Sequence, residues 1–248
     1  MTLDCSFNWA DIRHIAGPCI RPGGPVLTER ALEFCNLPSG SHVADIGCGA
    51  GGTLKYLEDA GLYHAAGLDY SDTLLGEAAL RLVSARLVRG GAETLPFKRG
   101  SFDALFCECV LSILGDRMAA LCECARVLKE EGFLIVSDVF GQGAPGQGRP
   151  GEESQELGTK GLLAKEDLFG LLELLGFSLL LWEEHKWFLK EFMARMILAG
   201  QRLPDPWGCR QGPVGKKTDR AGVSYFLLIA RRPASPFRLL GNKGDGAP

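Results

Sequence analysis

Val43-Ala44-Asp45-Ile46-Gly47-Cys48-Gly49-Ala50-Gly51-Gly52 runs from a short apolar strand through an acid into a cluster of glycines. Glycine tolerates positive φ and carries no Cβ, so such a run closes a tight turn whose N–H groups can approach a ligand. The next apolar strand, Ala65-Ala66-Gly67-Leu68, delivers Asp69, 22 positions beyond Gly47. That spacing is near the roughly 20-residue interval at which a carboxylate on a neighbouring strand end meets a ribose diol. Two strand ends are thereby placed to hold one small adenosine-bearing molecule.

The glycines fit two templates. Gly47-x-Gly49-x-x-Gly52 satisfies the dinucleotide fingerprint, a weak match alone, while Asp45-x-Gly47-x-Gly49-x-Gly51 satisfies the acid-first loop of S-adenosylmethionine (SAM) enzymes. A pyrophosphate needs donors and a helix N-terminus around two anionic groups. A zwitterionic methionine tail also needs an acceptor for its ammonium, which Asp45 or nearby carbonyls supply. Asp45 therefore tips the reading toward SAM.

Further along, a third strand, Arg86-Leu87-Val88, leads into Gly90-Gly91-Ala92-Glu93-Thr94-Leu95-Pro96-Phe97, and Ser101-Phe102-Asp103-Ala104-Leu105-Phe106 opens a fourth. With Ala125-Arg126-Val127-Leu128-Lys129-Glu130-Glu131-Gly132, these segments resemble class I SAM-dependent methyltransferases of the small-molecule, arsenite- and quinone-methyltransferase-like type. The resemblance runs from about Leu37 to Asp138. It implies an α/β, Rossmann-like three-layer sandwich with a seven-stranded, mostly parallel sheet and an antiparallel last strand. It also implies SAM as cofactor, with S-adenosylhomocysteine as product. Carried residue by residue, it places Asp45, Gly47, Cys48, Gly49 and Gly51 at the amino-acid end of the cofactor, Asp69 and Tyr70 at the ribose, and Ala92 and Glu93 at the adenine. Gly91 stands where many relatives carry an Asp that bonds the adenine amino group, so that contact is either lost or replaced, by the Ala92 backbone or Glu93. Gly17-Pro18-x-Ile20-Arg21-Pro22-Gly23-Gly24, Cys107-Glu108-Cys109 and Leu181-Trp182-Glu183-Glu184-His185 together resemble a bacterial subgroup of methyltransferases found in anaerobes.

Working outward, 248 residues suit one α/β domain able to bury a large core. A net charge of −3, with Lys and Arg scattered, offers no basic field for nucleic acid or an anionic membrane. No apolar run approaches the roughly 20 residues that span a bilayer, and the N-terminus lacks signal-peptide form. Nine cysteines, an odd number without small-scaffold spacing, suit reduced thiols. A cytoplasmic protein, monomeric or homodimeric, acting on a small-molecule acceptor is the expectation.

The chain divides into a leader or cap (1–40), a cofactor-binding core (41–140), a lid loop with helix and strand (141–184), a cap insertion (185–222), a last strand (223–232) and a tail (233–248). Periodicity and breakers predict helices over 51–60, 73–83, 117–129 (stopped by Gly132), 165–175 and 186–199. Thr28 is expected to cap a helix running to Cys35. The glycine-rich stretch 141–148 reads as a mobile lid. Phe188, Phe192 and Met196 form one stripe on the last helix, either ordinary core contact or an apolar cap over the acceptor.

A sulfonium methyl is already electrophilic, so proximity and orientation, worth roughly 7–11 kcal/mol, can suffice without covalent catalysis. Cys107, after the fourth strand, is a further cofactor-binding candidate, and the acceptor side falls to Cys109, whose Cys109-Val110-Leu111-Ser112 resembles arsenite methyltransferases, in which the matching cysteine helps hold trivalent arsenic. Cys109 is the catalytic candidate, and Arg21 the candidate binder of a cofactor or substrate carboxylate. Cys19 and Cys209 are loop thiols within conceivable reach of Cys109. Cys122-x-Cys124 diverges by roughly 200° on a helix and cannot share a zinc, so no metal site is expected. A SAM-binding accessory or sensor without turnover, and a nicotinamide oxidoreductase, are the competing functions; no Tyr-x-x-x-Lys relay supports the latter.

Overall fold

The computed structural model describes residue 19 and residues 21–61, 63–141, 163–200 and 222–234. The glycine run lies where a strand hands over to a helix. β1 (Ser41–Ile46) enters the turn and α2 (Gly52–Ala60) leaves it, following α1 (Pro25–Cys35) in the chain. Alternation then continues through β2 (Tyr63–Asp69), α3 (Asp72–Arg81), β3 (Arg86–Arg89), β4 (Phe102–Glu108), α4 (Arg117–Val127) and β5 (Leu128–Gly141). A two-residue β6 (Leu163–Ala164), α5 (Lys165–Leu174), β7 (Ser178–Glu184), α6 (Lys186–Leu198) and β8 (Val223–Arg231) complete it. The expected lid loop, most of the cap insertion, the tail and Cys209 lie outside the described residues.

The sheet order is β3-β2-β1-β4-β5-β8-β7, with β6 pairing off this path onto β5. The first five strands of the path are mutually parallel, and β8 runs antiparallel to both β5 and β7. Seven strands with the last reversed is the expected architecture; β6 is the addition. β8 is buried along all but its terminal residues, which is why Ser224-Tyr225-Phe226-Leu227-Leu228-Ile229-Ala230 reads as a near-continuous run rather than an alternation.

Local chemistry sets the helix ends. The Ser71 hydroxyl accepts from the Leu74 N–H, and Asp116 from Ala119, capping α3 and α4. Two expectations are corrected. Thr28 does not cap: α1 starts at Pro25, a residue pre-set for the first turn, and Thr28 lies inside it with its hydroxyl accepting from Arg21. Gly132 does not stop α4, which ends at Val127, and Gly132 lies within the irregular start of β5. There Leu128 pairs with Phe102 and Phe133 with Ala104, so residues 129–132 form a bulge.

The two sheet faces carry separate apolar cores. One gathers Leu105, Cys107, Leu121, Cys124 and Leu168 with α4 and α5; the other gathers Leu27, Ala31, Phe106, Phe192 and Met196 with α1 and α6. The α6 stripe is therefore core contact, with Phe188 partly buried against the same cluster.

Candidate functional site

The glycine turn is built by convergent hydrogen bonds. Gly47 and Cys48 both donate to the Leu68 carbonyl, at 2.7 and 2.9 Å, which draws the turn onto the end of β2. Gly47 adopts φ 78°, and a Cβ there would lie 2.3 Å from Val110 Cγ2. Asp69 fixes the next residue: its Oδ2 accepts from the Gly49 N–H at 2.8 Å, while Oδ1 accepts from the Ser71 N–H at 2.8 Å. The carboxylate at the end of β2 is thus stapled to the glycine turn at the end of β1. Gly90 donates to the Asp69 carbonyl at 3.0 Å and brings the end of β3 alongside. The segment after Gly90 is held from α4, where Arg126 donates to the Leu95 and Phe97 carbonyls and Glu123 accepts from the Leu95 N–H.

These strand ends surround a cavity of about 410 Å³, within the range of small-molecule sites and outside the carboxyl ends of a parallel sheet, where such folds bind ligands. Asp45, Gly47, Cys48, Gly49 and Asp69 line one side. Tyr70, Ala92 and Glu93 line another, Tyr70 being 76% exposed beside Arg89, whose guanidinium carbon lies 5.8 Å from its ring centroid. Arg21 and Cys109 also face the cavity.

Two expected residues are not in its wall. Gly51, at φ 80°, begins α2 and turns toward α3, where a Cβ would meet Leu82 Cδ1 at 2.9 Å and Ala78 Cβ at 3.1 Å. Its lack of a side chain serves helix packing. Cys107, 2% exposed, points into the core that contains Cys124, because strand alternation sends its neighbour Glu108 toward the cavity instead.

Glu108 was missed, although a lone carboxylate at the end of an apolar strand is a legible signal. Its Oε1 lies 2.9 Å from Arg21 Nη2, and its Oε2 accepts from the Thr53 hydroxyl at 2.6 Å. Burial raises the Glu108 pKa against the opposing pull of Arg21. Asp45, 3% exposed, is also raised, by burial first and then by Glu108. Burial lowers the Arg21 pKa, but Glu108 outweighs it and the net shift is upward, so the guanidinium stays charged.

On the other side of the cavity, half-buried Cys109 adopts φ 57° and its Sγ lies 3.2 Å from the Tyr225 hydroxyl. Tyr225 donates in turn to the Ser137 hydroxyl at 3.1 Å. Burial, then Asp138, raises the Cys109 pKa, so its thiol is protonated at neutral pH. Cys19 shares the cavity wall, and burial raises its pKa as well, with Arg21 pulling it back. Among the described residues no group of three or more His, Cys, Asp or Glu side chains could hold a metal ion, and no helix is long and apolar enough to cross a membrane.

Parallel sheet, glycine turn and acidic strand end agree with the fold expected from the methyltransferase resemblance. Residues 44–136 match the family model described as methyltransferase domain. Demethylmenaquinone methyltransferase of Thermotoga maritima is 32% identical over 113 residues, 45% of this chain and 49% of that protein. The 18S rRNA (guanine-N(7))-methyltransferase of Mus musculus is 41% identical over 80 residues, 31% of this chain and 28% of that protein. The chain spans half or less of the length of these curated relatives. Among solved structures, the cyclase SpnF superposes with a TM-score of 0.70 at 22% identity, covering 90% of this chain and 92% of that one. Haemonchus contortus phosphoethanolamine N-methyltransferase 2, crystallised with SAM, gives 0.69 at 18% identity, covering 91% of this chain and 56% of that one. These low identities speak for the fold alone.

Proposed function

We propose that the chain binds SAM in this cavity and transfers its methyl group in line to a small-molecule acceptor, leaving S-adenosylhomocysteine. The observation that carries the reading is the Asp69 carboxylate, 2.8 Å from the Gly49 N–H in the wall of a cavity of about 410 Å³. One strand-end acid there meets both the glycine turn and the ribose position. Charge favours the same ligand. Asp45, Asp69, Glu93 and Glu108 face the cavity against one guanidinium, Arg21, which already has a carboxylate partner. A pyrophosphate would meet repulsion there, whereas a ligand carrying ammonium and sulfonium groups is attracted. This speaks against the nicotinamide alternative.

Bound there, SAM supplies an activated methyl group. Asp69 would hold the ribose hydroxyls with Tyr70 at the rim, and Ala92 and Glu93 would take the adenine edge. Glu93 suits the place of the acid missing at position 91: its Oε2 lies 3.3 Å from where a Gly91 Cβ would sit. Asp45, Gly47, Cys48 and Gly49 would hold the amino-acid end. On the acceptor side, Val110, Ile113 and Leu114 offer an apolar wall beside Cys109, supporting a small, largely apolar acceptor. The neutral Cys109 thiol serves there as a hydrogen-bonding and packing group. The net charge of −3 supports a small acceptor over a nucleic acid.

Isothermal titration with SAM, S-adenosylhomocysteine and NAD tests the ligand: the first two are expected to bind, and binding of NAD alone refutes the proposal. Incubation with SAM and arsenite, selenite, thiols, phenols or quinol precursors then reads the acceptor. Equal turnover by the wild type and Cys109→Ala would remove Cys109 from the mechanism. Tight SAM binding without turnover across a broad acceptor panel would favour the accessory role.

A further inference from the structure

α1 and α6 cover the same face of the sheet, burying Leu27 and Ala31 from the first and Leu189, Phe192 and Met196 from the second in one apolar cluster. They are neighbours. A Cβ on Gly23, just ahead of α1, would stand 3.1 Å from Phe188 Cδ2 of α6, and Arg30 of α1 pairs at 2.7 Å with Glu183, shortly ahead of α6. The outward sides of both helices carry apolar groups that the core does not use. Trp187 is 73% exposed and Leu198 88%. Their spacing of eleven residues makes three turns and about 20°, so the two share one stripe, with exposed Ala194 between them. On α1, Val26 is 51% exposed and Phe34 37%. Isolated surface hydrophobes need no reason, but a stripe along one helix beside exposed apolar groups on the next has the form of a contact surface. Charge divides this layer. Arg30 is taken by Glu183 and Arg195 by Glu191, leaving exposed Glu29 and Glu33 on α1 and exposed Lys186 and Lys190 on α6 without an ion pair among the described residues. One helix presents two anions and its neighbour two cations.

We propose that this layer is a two-fold interface between copies of the chain, with α1 of each lying against α6 of the other. A two-fold axis that turns the layer onto its copy either sets each helix against itself or exchanges the two. Self-pairing would bring Glu29 and Glu33 against their own copies, and Lys186 and Lys190 against theirs. Exchange joins opposite signs, and symmetry makes that contact twice. The same step covers the exposed apolar side chains, which supply the attraction while the charges choose the pairing. An anionic lipid surface would suit the lysines but would also meet the two glutamates of the adjoining helix, so a partner carrying both signs fits better.

Sedimentation equilibrium of the full chain is the test. The wild type is expected to dimerise within about 0.1–100 µM, the span of ordinary reversible contacts. Two double variants, Glu29→Lys with Glu33→Lys and Lys186→Glu with Lys190→Glu, each set like charges face to face and are expected to weaken self-association roughly tenfold or more. Mixed together, these two variants are expected to pair with each other at near wild-type strength, because both contacts then join opposite signs. Trp187→Ser removes apolar cover alone and should weaken the wild-type dimer without restoring anything on mixing. All five positions are exposed, so urea midpoints near wild type are expected; if a double variant does not fold, its single reversals take its place and must show the same pattern in smaller measure or the proposal falls. A wild type that stays monomeric through that range overturns it, as does a dimer indifferent to both reversals, or reversed variants that fail to pair on mixing. A monomer that sediments with phosphatidylglycerol vesicles gives the face to lipid and refutes the second copy.

Discussion

Gly47→Ala is expected to be among the most damaging single-methyl additions in the chain, and its cost divides into two separable parts. The first is backbone strain, since alanine at φ 78° sits in left-handed space, at roughly 1–2 kcal/mol. The second is overlap with Val110: carbon atoms rest about 3.5–4.0 Å apart, and the new Cβ would stand 2.3 Å from Val110 Cγ2. Overpacking at a buried residue adds about 1–3 kcal/mol, giving a total of roughly 2–5 kcal/mol. Only the second part can be relieved by changing the neighbour. Val110→Ala alone, losing two buried methyl groups, costs about 2 kcal/mol, and the double variant should be more stable than the sum of the singles by about 1–3 kcal/mol. Urea unfolding followed by circular dichroism gives all four stabilities. For a chain of this size each kcal/mol also lowers the melting temperature by about 2–4 °C. If the two changes add to within about 0.5 kcal/mol, the contact between the turn and Val110 does not govern the site and the steric reasoning is wrong.

Asp69→Ala should loosen the turn as well as the ligand, because the same carboxylate accepts from Gly49 and Ser71; about 2–4 kcal/mol of stability and most of the affinity for S-adenosylhomocysteine are expected to go, and loss of affinity with unfolding unchanged would show that the staple is idle. Asp138 predicts a pH effect. Burial pushes its pKa up to about 6 despite hydrogen bonds from Ser112 and Val139, above the unfolded value of about 3.9. The folded chain therefore holds its proton more tightly. Stability from this group is complete below about pH 4 and lost as pH rises through about 6, a swing of about 3 kcal/mol. Because other buried acids titrate too, the measurement is the stability difference between wild type and Asp138→Asn, which should favour the wild type more at pH 4.5 than at pH 7.5; a flat difference contradicts it.

What could be read from the residues was whatever rests on local rules. The order of elements, the turn after Asp45 and the partnership of Gly49 with Asp69 follow from strand-to-glycine grammar and interval. Gly51 shows where such rules stop: it belongs to the same motif, but its neighbours, Ala78 and Leu82, come from a helix about 30 positions on. Cys107 failed for a related reason. β4 is covered on both faces, so its sequence shows no alternation from which to tell which of Cys107 and Glu108 looks into the cavity. The Arg21–Glu108–Thr53 cluster and the Cys109–Tyr225–Ser137 chain join residues up to 116 positions apart. Their pairing depends on sheet order, and the family resemblance implied only a reversed last strand, not its place between β5 and β7.

The position of β8 also bears on how the molecule comes into being. It is the last strand described, yet it fills an interior slot, pairing with β5 on one side and β7 on the other. Until residues 223–231 have left the ribosome, a nascent chain must carry two open strand margins rich in leucine and phenylalanine, the kind of surface that recruits chaperones or zips onto another copy. A message truncated upstream of Val223 would yield a sticky intermediate with the cofactor-side strands already made.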